Sequence, residues 1–178
     1  MSPPLPDVVT GTPSPVEPLP PHKHGCLGCG PGNAAGLHLQ AYREGDAVTA
    51  RVVFDDRHAG VVGLAHGGAV ATACDDLFAY VLHVMDVPAV TRTLDVGYRA
   101  PVRLGVPYGF TARLERREGR RLFMTATGVD EAGGLVAEAR AVFVVVPPSH
   151  WLDHGATVPD RFVGSSDGAD AIDPRGAS

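Results

Sequence analysis

Residues 65–86 read AHGGAVATACDDLFAYVLHVMD, and this stretch decides the fold. Apolar residues recur at Val70, Cys74, Leu77, Phe78, Val81, Leu82 and Met85, the spacing of a helix and not of a strand. Pro88 follows and marks its end. The run is apolar on nearly every face, so the helix should be buried, yet Asp75 sits inside it. A carboxylate in such surroundings must be paired or used. His66, Gly67 and Gly68 stand at the helix start, where the first N–H groups lack helical partners and the positive end of the dipole faces outward. Glycine lets another molecule approach that backbone closely. An anion site and a carboxylate about two helical turns apart suggest an enzyme.

On either side of the helix the pattern is strand-rich. Residues 36–43 and 46–54 alternate around Glu44-Gly45 and read as a hairpin. Residues 55–65 read as a glycine-containing loop. Four strands are expected after the helix, at 90–98, 106–116, 120–129 and 135–146, separated by Ala100-Pro101, Glu118-Gly119 and the run Asp130–Gly134. Two strands, one long helix and four consecutive strands give an α+β class with an antiparallel sheet curled around the helix. One helix covers one face of such a sheet. The edges and part of the other face need another cover, most simply a second subunit.

Composition narrows the setting. The 178 residues suffice for one domain with a core. Proline gathers near the N-terminus, so residues 1–21 should be a disordered tail. Residues 151–178 are expected to be a loose acidic tail, leaving a domain over 22–150. The net charge is −5, and residues 149–178 contribute five aspartates against two arginines. Nothing in that balance suggests a nucleic-acid binder, and none is expected as a partner. Three cysteines make a disulfide framework unexpected. No basic segment precedes an apolar stretch at the N-terminus, and Asp75, Asp76 and His83 interrupt the apolar helix. Neither a signal peptide nor a membrane span is expected, and the expected compartment is the cytoplasm.

His22, His24, Cys26 and Cys29 have the residue types of a zinc site. Their spacing is compressed relative to common structural sites, and no second pair of Cys or His follows. The expectation is instead a tight turn, with Gly25, Gly28 and Gly30, packed over the start of the domain, and no metal. Asp76 points about 100° around the helix from Asp75 and is expected to face solvent or another subunit.

Three motifs carry a family resemblance: CLGCGPGNAAGLHLQ from Cys26 to Gln40, RHAGVVGLAHGGAVATACD from Arg57 to Asp75, and TRTLDVGYRAPV from Thr91 to Val102. Over about residues 24–147 the chain resembles the hotdog-fold acyl-CoA thioesterases of the phenylacetate-pathway (PaaI-like) type. It is also similar to animal mitochondrial long-chain acyl-CoA thioesterases. The nine-residue step from His66 to Asp75 and the sixteen-residue step from Asp75 to Thr91 match that family's pattern.

The resemblance implies hydrolysis of an acyl-CoA to a free acid and coenzyme A, without a bound cofactor, in a homodimer or homotetramer whose site lies between subunits. Asp75 would activate water or attack directly, and Thr91 would orient that water. Gly67 N–H, helped by Gly68, would hold the oxyanion, and His66 would fix the Gly-Gly turn or touch the carbonyl. Gly60 stands where some members place an Asn, and His58 resembles the loop histidine of others, so both are expected at the substrate. Arg120 and Arg121, in the densest basic cluster, are the expected contacts to the coenzyme A phosphates. A non-catalytic acyl-CoA-binding module and an enoyl-CoA hydratase or dehydratase remain alternatives. An Asp followed five residues later by His, one hydratase pattern, is absent, since Tyr80 and Val81 follow Asp75 and Asp76 at that step.

Overall fold

A computed structural model describes residues 16–163. The central helix α1 spans Gly67–Met85. Its buried residues Val70, Ala73, Cys74, Leu77, Phe78, Val81 and Leu82 form a stripe at helical spacing. Asp86, in the left-handed conformation with φ 53°, caps its end through an N–H bond to the carbonyls of His83 and Leu82. By length and composition alone α1 would pass as a membrane span, but its apolar stripe lies against the sheet.

The strands are β1 (Glu17–Pro18), β2 (Gln40–Glu44), β3 (Ala47–Val53), β4 (Ala59–Val61), β5 (Leu64–Ala65), β6 (Ala89–Tyr98), β7 (Pro107–Glu118), β8 (Arg121–Val129) and β9 (Leu135–Val145). Seven form one sheet, ordered β1-β2-β3-β7-β8-β9-β6, with every neighbouring pair antiparallel. The α+β class, with one long helix wrapped by an antiparallel sheet, is as expected. Alternation on each strand puts Val48, Ala50, Val52, Phe110, Ala112, Leu122, Met124, Ala139, Ala141 and Phe143 in the core. Phe78 of α1 meets Phe143 edge-on, with ring centroids 6.1 Å apart. Burying each such ring contributes about 1.5–3 kcal/mol, so the helix is held mainly by packing.

The sheet has unequal edges. At one end lies two-residue β1. At the other lies ten-residue β6, paired only with β9, its outer edge free among the described residues. A bulge at Thr91–Thr93 breaks its register.

Three expectations are corrected. The loop 55–65 holds a 3-10 turn over Asp56–His58 and the small ribbon β4–β5. Residues 1–15 and 164–178 lie outside the described residues, but the inner ends of the expected loose tails are packed. Leu19 is buried, and its N–H bonds to Ala41 O. Beyond β9, a short helix α2 (Ser149–Asp153) places Trp151 against buried Phe162, rings stacked at 6.2 Å.

Candidate active site

His66 is the N-cap of α1. Its backbone is extended (φ −64°, ψ 137°), and its Nδ1 accepts a hydrogen bond from Gly68 N–H at 2.8 Å. Gly68 N–H is therefore engaged by the cap, where it was expected to help Gly67 at the oxyanion. Ala69 and Val70 N–H both point at His66 O. The N–H of Gly67 alone has no acceptor in the first turn among the described residues. Tyr98, at the end of β6, donates its hydroxyl to Gly67 O at 2.8 Å and so holds this turn from outside. Sequence reasoning gave Tyr98 no such role; a Tyr at a strand end carries no periodic signal. A cleft of about 450 Å³ opens here, lined by Gly67, Val70, Tyr98, Arg99 and Pro101 among others.

Two turns further along α1, Asp75 faces a second cleft of about 270 Å³, shared with Cys26, Leu27, Gly68, Thr72 and Leu94. Thr91 lies opposite Phe143 across the β6–β9 ladder, which turns it toward the helix face. Its Oγ1 donates to Asp75 Oδ1 at 3.2 Å, so the sixteen-residue step does bring the two together. Burial pushes the Asp75 carboxyl above the usual carboxylate range; the Thr91 hydrogen bond partly offsets this, and the Cys26 charge adds to it.

The other expected contacts fare differently. His58 is 6% exposed and spent on structure: Nδ1 accepts from Asp55 N–H at 3.1 Å, and Nε2 donates to Gly36 O at 3.2 Å. Neither ring nitrogen is left open for the substrate contact expected of it. Gly60 packs on the helix cap, where an added Cβ would lie 2.9 Å from His66 Cα. A side chain there would collide with backbone, so Gly60 fits the cap. Arg120 donates Nε to Val145 O at 2.9 Å, which ties it to the end of β9. Arg121 stands apart from it, in a cleft on the outer sheet face with Arg92, Thr93, Phe123 and Val142. The structure thus separates the expected pair and puts Arg121 with Arg92. Phe78 and Leu82 lie wholly in the core and line neither cleft.

Asp76 is neither solvent-facing nor at a free surface. It is 8% exposed, and its Oδ1 lies 3.3 Å from His22 Nδ1 and 3.2 Å from Cys26 Sγ. The turn expected over 25–30 is present, closed by Gly30 N–H to Cys26 O and Cys26 N–H to Lys23 O. It presses on the helix so tightly that a Cβ at Gly28 would fall 2.2 Å from Asp76 Cγ. Hydrogen bonds with Cys29 first and then His22 push the Cys26 thiol well below its ordinary pKa, against the burial that raises it. Burial lowers the His22 pKa, but hydrogen bonds to Asp76 and Cys26 outweigh it and bring it to about 9.

A family model of the thioesterase superfamily matches residues 62–137, a stretch that includes Gly67, Asp75 and Thr91. The acyl-coenzyme A thioesterase THEM4 of Mus musculus is 34% identical over 91 residues, covering 50% of this chain and 39% of that protein. The chain thus matches about two fifths of the length of that curated relative. Among solved structures, a crystal structure of a thioesterase superfamily protein superposes with a TM-score of 0.65 at 22% identity, over 68% of this chain and 60% of the other. The PaaI protein from the phenylacetic acid degradation operon of E. coli does so with a TM-score of 0.58 at 16% identity, over 62% of this chain and 80% of that one. Residues 62–137 thus match the thioesterase superfamily, and the chain has the hotdog fold of these structures.

Proposed function

We propose that this protein hydrolyses an acyl-CoA thioester to a carboxylic acid and coenzyme A. The observation that carries this reading is the Thr91–Asp75 pair. It is a half-buried carboxylate with raised pKa, oriented by a hydroxyl at 3.2 Å, on the helix whose first N–H is free. A thioester carbonyl is already electrophilic and its thiolate leaves readily, so one positioned carboxylate and one backbone donor suffice. The similarity to a curated acyl-CoA thioesterase supports the substrate class.

In this reading the two halves of the site come from two copies of the chain. Gly67 and Asp75 lie eight residues apart on α1, about 12 Å along the axis. The oxyanion donor and the attacking water must each come within about 3 Å of one carbonyl group. One chain does not reach both. In this reading the N–H of Gly67 from one subunit holds the carbonyl oxygen. Asp75 and Thr91 of the other subunit deliver water, or Asp75 attacks directly. The free ten-residue edge of β6 is the surface along which a second copy would pair. Of the arginines, this reading gives the phosphates to Arg92 and Arg121, which line one cleft.

The test is thiol release from short, long and aryl acyl-CoAs, run beside Asp75→Asn. The expected result is turnover of at least one class by the parent, with the rate constant falling by about 10²–10⁴ in the variant. If the parent binds acyl-CoA without turnover, the site is a binding module. If the variant keeps pace with the parent, Asp75 is not the catalytic carboxylate.

A further inference from the structure

We infer that His22, Cys26, Cys29 and Asp76 form a closed zinc site that staples the N-terminal segment to α1. The two halves come from distant parts of the chain. His22, Cys26 and Cys29 sit in the turn before β2, while Asp76 lies about fifty residues later in the helix. Their donor atoms nevertheless all lie within 4.8 Å of one another. Zinc bonded to sulfur at about 2.3 Å and to nitrogen or oxygen at about 2.0–2.1 Å spaces its ligands about 3.3–3.8 Å apart in a tetrahedron. The cluster shows 3.3 Å between His22 Nδ1 and Asp76 Oδ1, 3.3 Å between Cys29 Sγ and His22 Nδ1, and 3.2 Å between Cys26 Sγ and Asp76 Oδ1. These are close to the edges of that tetrahedron before any ion is added.

A second observation points to a missing partner. The Asp76 side chain is only 7% exposed, yet its Oδ2 meets no donor, and His22 Nε2 is also buried without a partner. A buried carboxylate with an orphaned oxygen costs free energy that a self-contained polar network would not leave unmet. A cation at the centre neutralises the buried carboxylate and, bound by both of its oxygens, gives Oδ2 its partner; His22 Nε2, across the ring from the ligating Nδ1, is not satisfied by it. Two thiol sulfurs, one imidazole and one carboxylate form a mixed soft and borderline donor set suited to zinc. The cysteines are not joined to each other, and all three in the chain are free. The surroundings hold the donors in place. His22 stacks on Tyr80 with centroids 3.9 Å apart, and Tyr80 lies one turn along α1 from Asp76. Gly28 leaves the space that Asp76 fills.

With four protein ligands no position is left open, so the role is structural. The site fixes Cys26, Leu27 and Gly28, which form one wall of the cleft facing Asp75. It is independent of the reaction, and its presence does not depend on what the cleft hydrolyses.

The experiment is metal analysis of the full chain purified under reducing conditions without chelator, followed by exchange to cobalt(II). The expected result is about one zinc per chain, with thiolate-to-cobalt charge-transfer absorption and the strong ligand-field bands of tetrahedral cobalt. Cys29→Ser and Asp76→Asn should each weaken binding by more than about tenfold and shift those bands. Added zinc should raise the melting temperature of the stripped parent but not of either variant. A reduced, folded parent that holds no zinc and gives no cobalt bands overturns the proposal. So do cobalt spectra unchanged in both variants, or a Cys26–Cys29 disulfide in metal-free protein that adding zinc under reductant does not convert.

Discussion

Replacing Gly67 by proline should remove one hydrogen-bond donor and little else. Gly67 is the first residue of α1, the helical position that proline tolerates best. Its N–H makes no bond within the described residues, so none is lost. His66 before it already has φ −64° and ψ 137°, the extended backbone that a residue preceding proline prefers. An added Cβ would lie 3.1 Å from Tyr98 Oη and 3.2 Å from its Cζ, the far end of a side chain that is 52% exposed and able to give a few tenths of an ångström. Stability should therefore change by no more than about 1 kcal/mol, or about 2–4 °C in melting temperature for a chain of this size.

If that N–H holds the oxyanion, the turnover number should fall by about 10²–10³, equivalent to about 2.7–4 kcal/mol of transition-state stabilisation. KM should scarcely move, because the bond forms only as charge develops. Gly67→Ala is the control, since it makes the same contact with Tyr98 and keeps the N–H. The assay is initial-rate thiol release on both variants beside thermal melts. A folded proline variant with the parent's turnover number would refute the oxyanion assignment, as would equal losses in the alanine and proline variants.

Three more outcomes follow from the same geometry. His66→Ala should cost about 1 kcal/mol in a thermal melt by uncapping α1, and His66→Asn, which caps equally well, should restore most of it; an Asn variant as unstable as Ala would mean that His66 does more than cap. The raised Asp75 pKa means that the folded state holds that proton more tightly than the unfolded chain. Ionising Asp75 therefore costs stability, a penalty complete above its folded pKa and absent below the ordinary carboxylate value. Asp75→Asn should accordingly melt above the parent at neutral pH and converge with it in acid, while the parent's activity should fall as pH drops through a value above the usual carboxylate range. Gly60→Asn should lower stability by about 1–3 kcal/mol and reduce the rate, because its Cβ meets His66 backbone at 2.9 Å; a faster enzyme would show that the loop has room for a polarising side chain.

The parts of this molecule that follow local rules were legible in the sequence. Helical spacing from Val70 to Met85 placed α1, and turn residues such as Glu118-Gly119 placed the hairpins, each within a few residues. The Asp75–Thr91 pair was reachable only because its spacing matched a known pattern, since a Thr on a strand carries no signal of its own. What escaped depends on contacts between distant segments. The environment of Asp76 is set by a turn about fifty residues upstream, so helical geometry gave its direction but not what fills the space. His58 looked free because its two backbone partners, Asp55 N–H and Gly36 O, are visible only after the loop folds. The occupation of Gly68 N–H by His66 is a capping bond that the triplet alone does not distinguish from an open pair of donors. Arg120 and Arg121 are adjacent in sequence, but Arg120 lies in the turn and is tied to Val145 O while Arg121 opens β8 beside Arg92, a division visible only once the strand's start is known.

The most direct test of a site shared between two chains is complementation between Gly67→Pro and Asp75→Asn. Each variant alone lacks one half of every site. In a mixed dimer both lesions fall in one site, and the other site carries an intact Gly67 facing an intact Asp75. Random re-association of equal amounts gives half mixed dimers with one good site of two, so activity should return to about one quarter of the parent's. Activity that stays at the sum of the two variants, with mixed dimers present by native mass spectrometry, would place both groups in one chain and contradict the account.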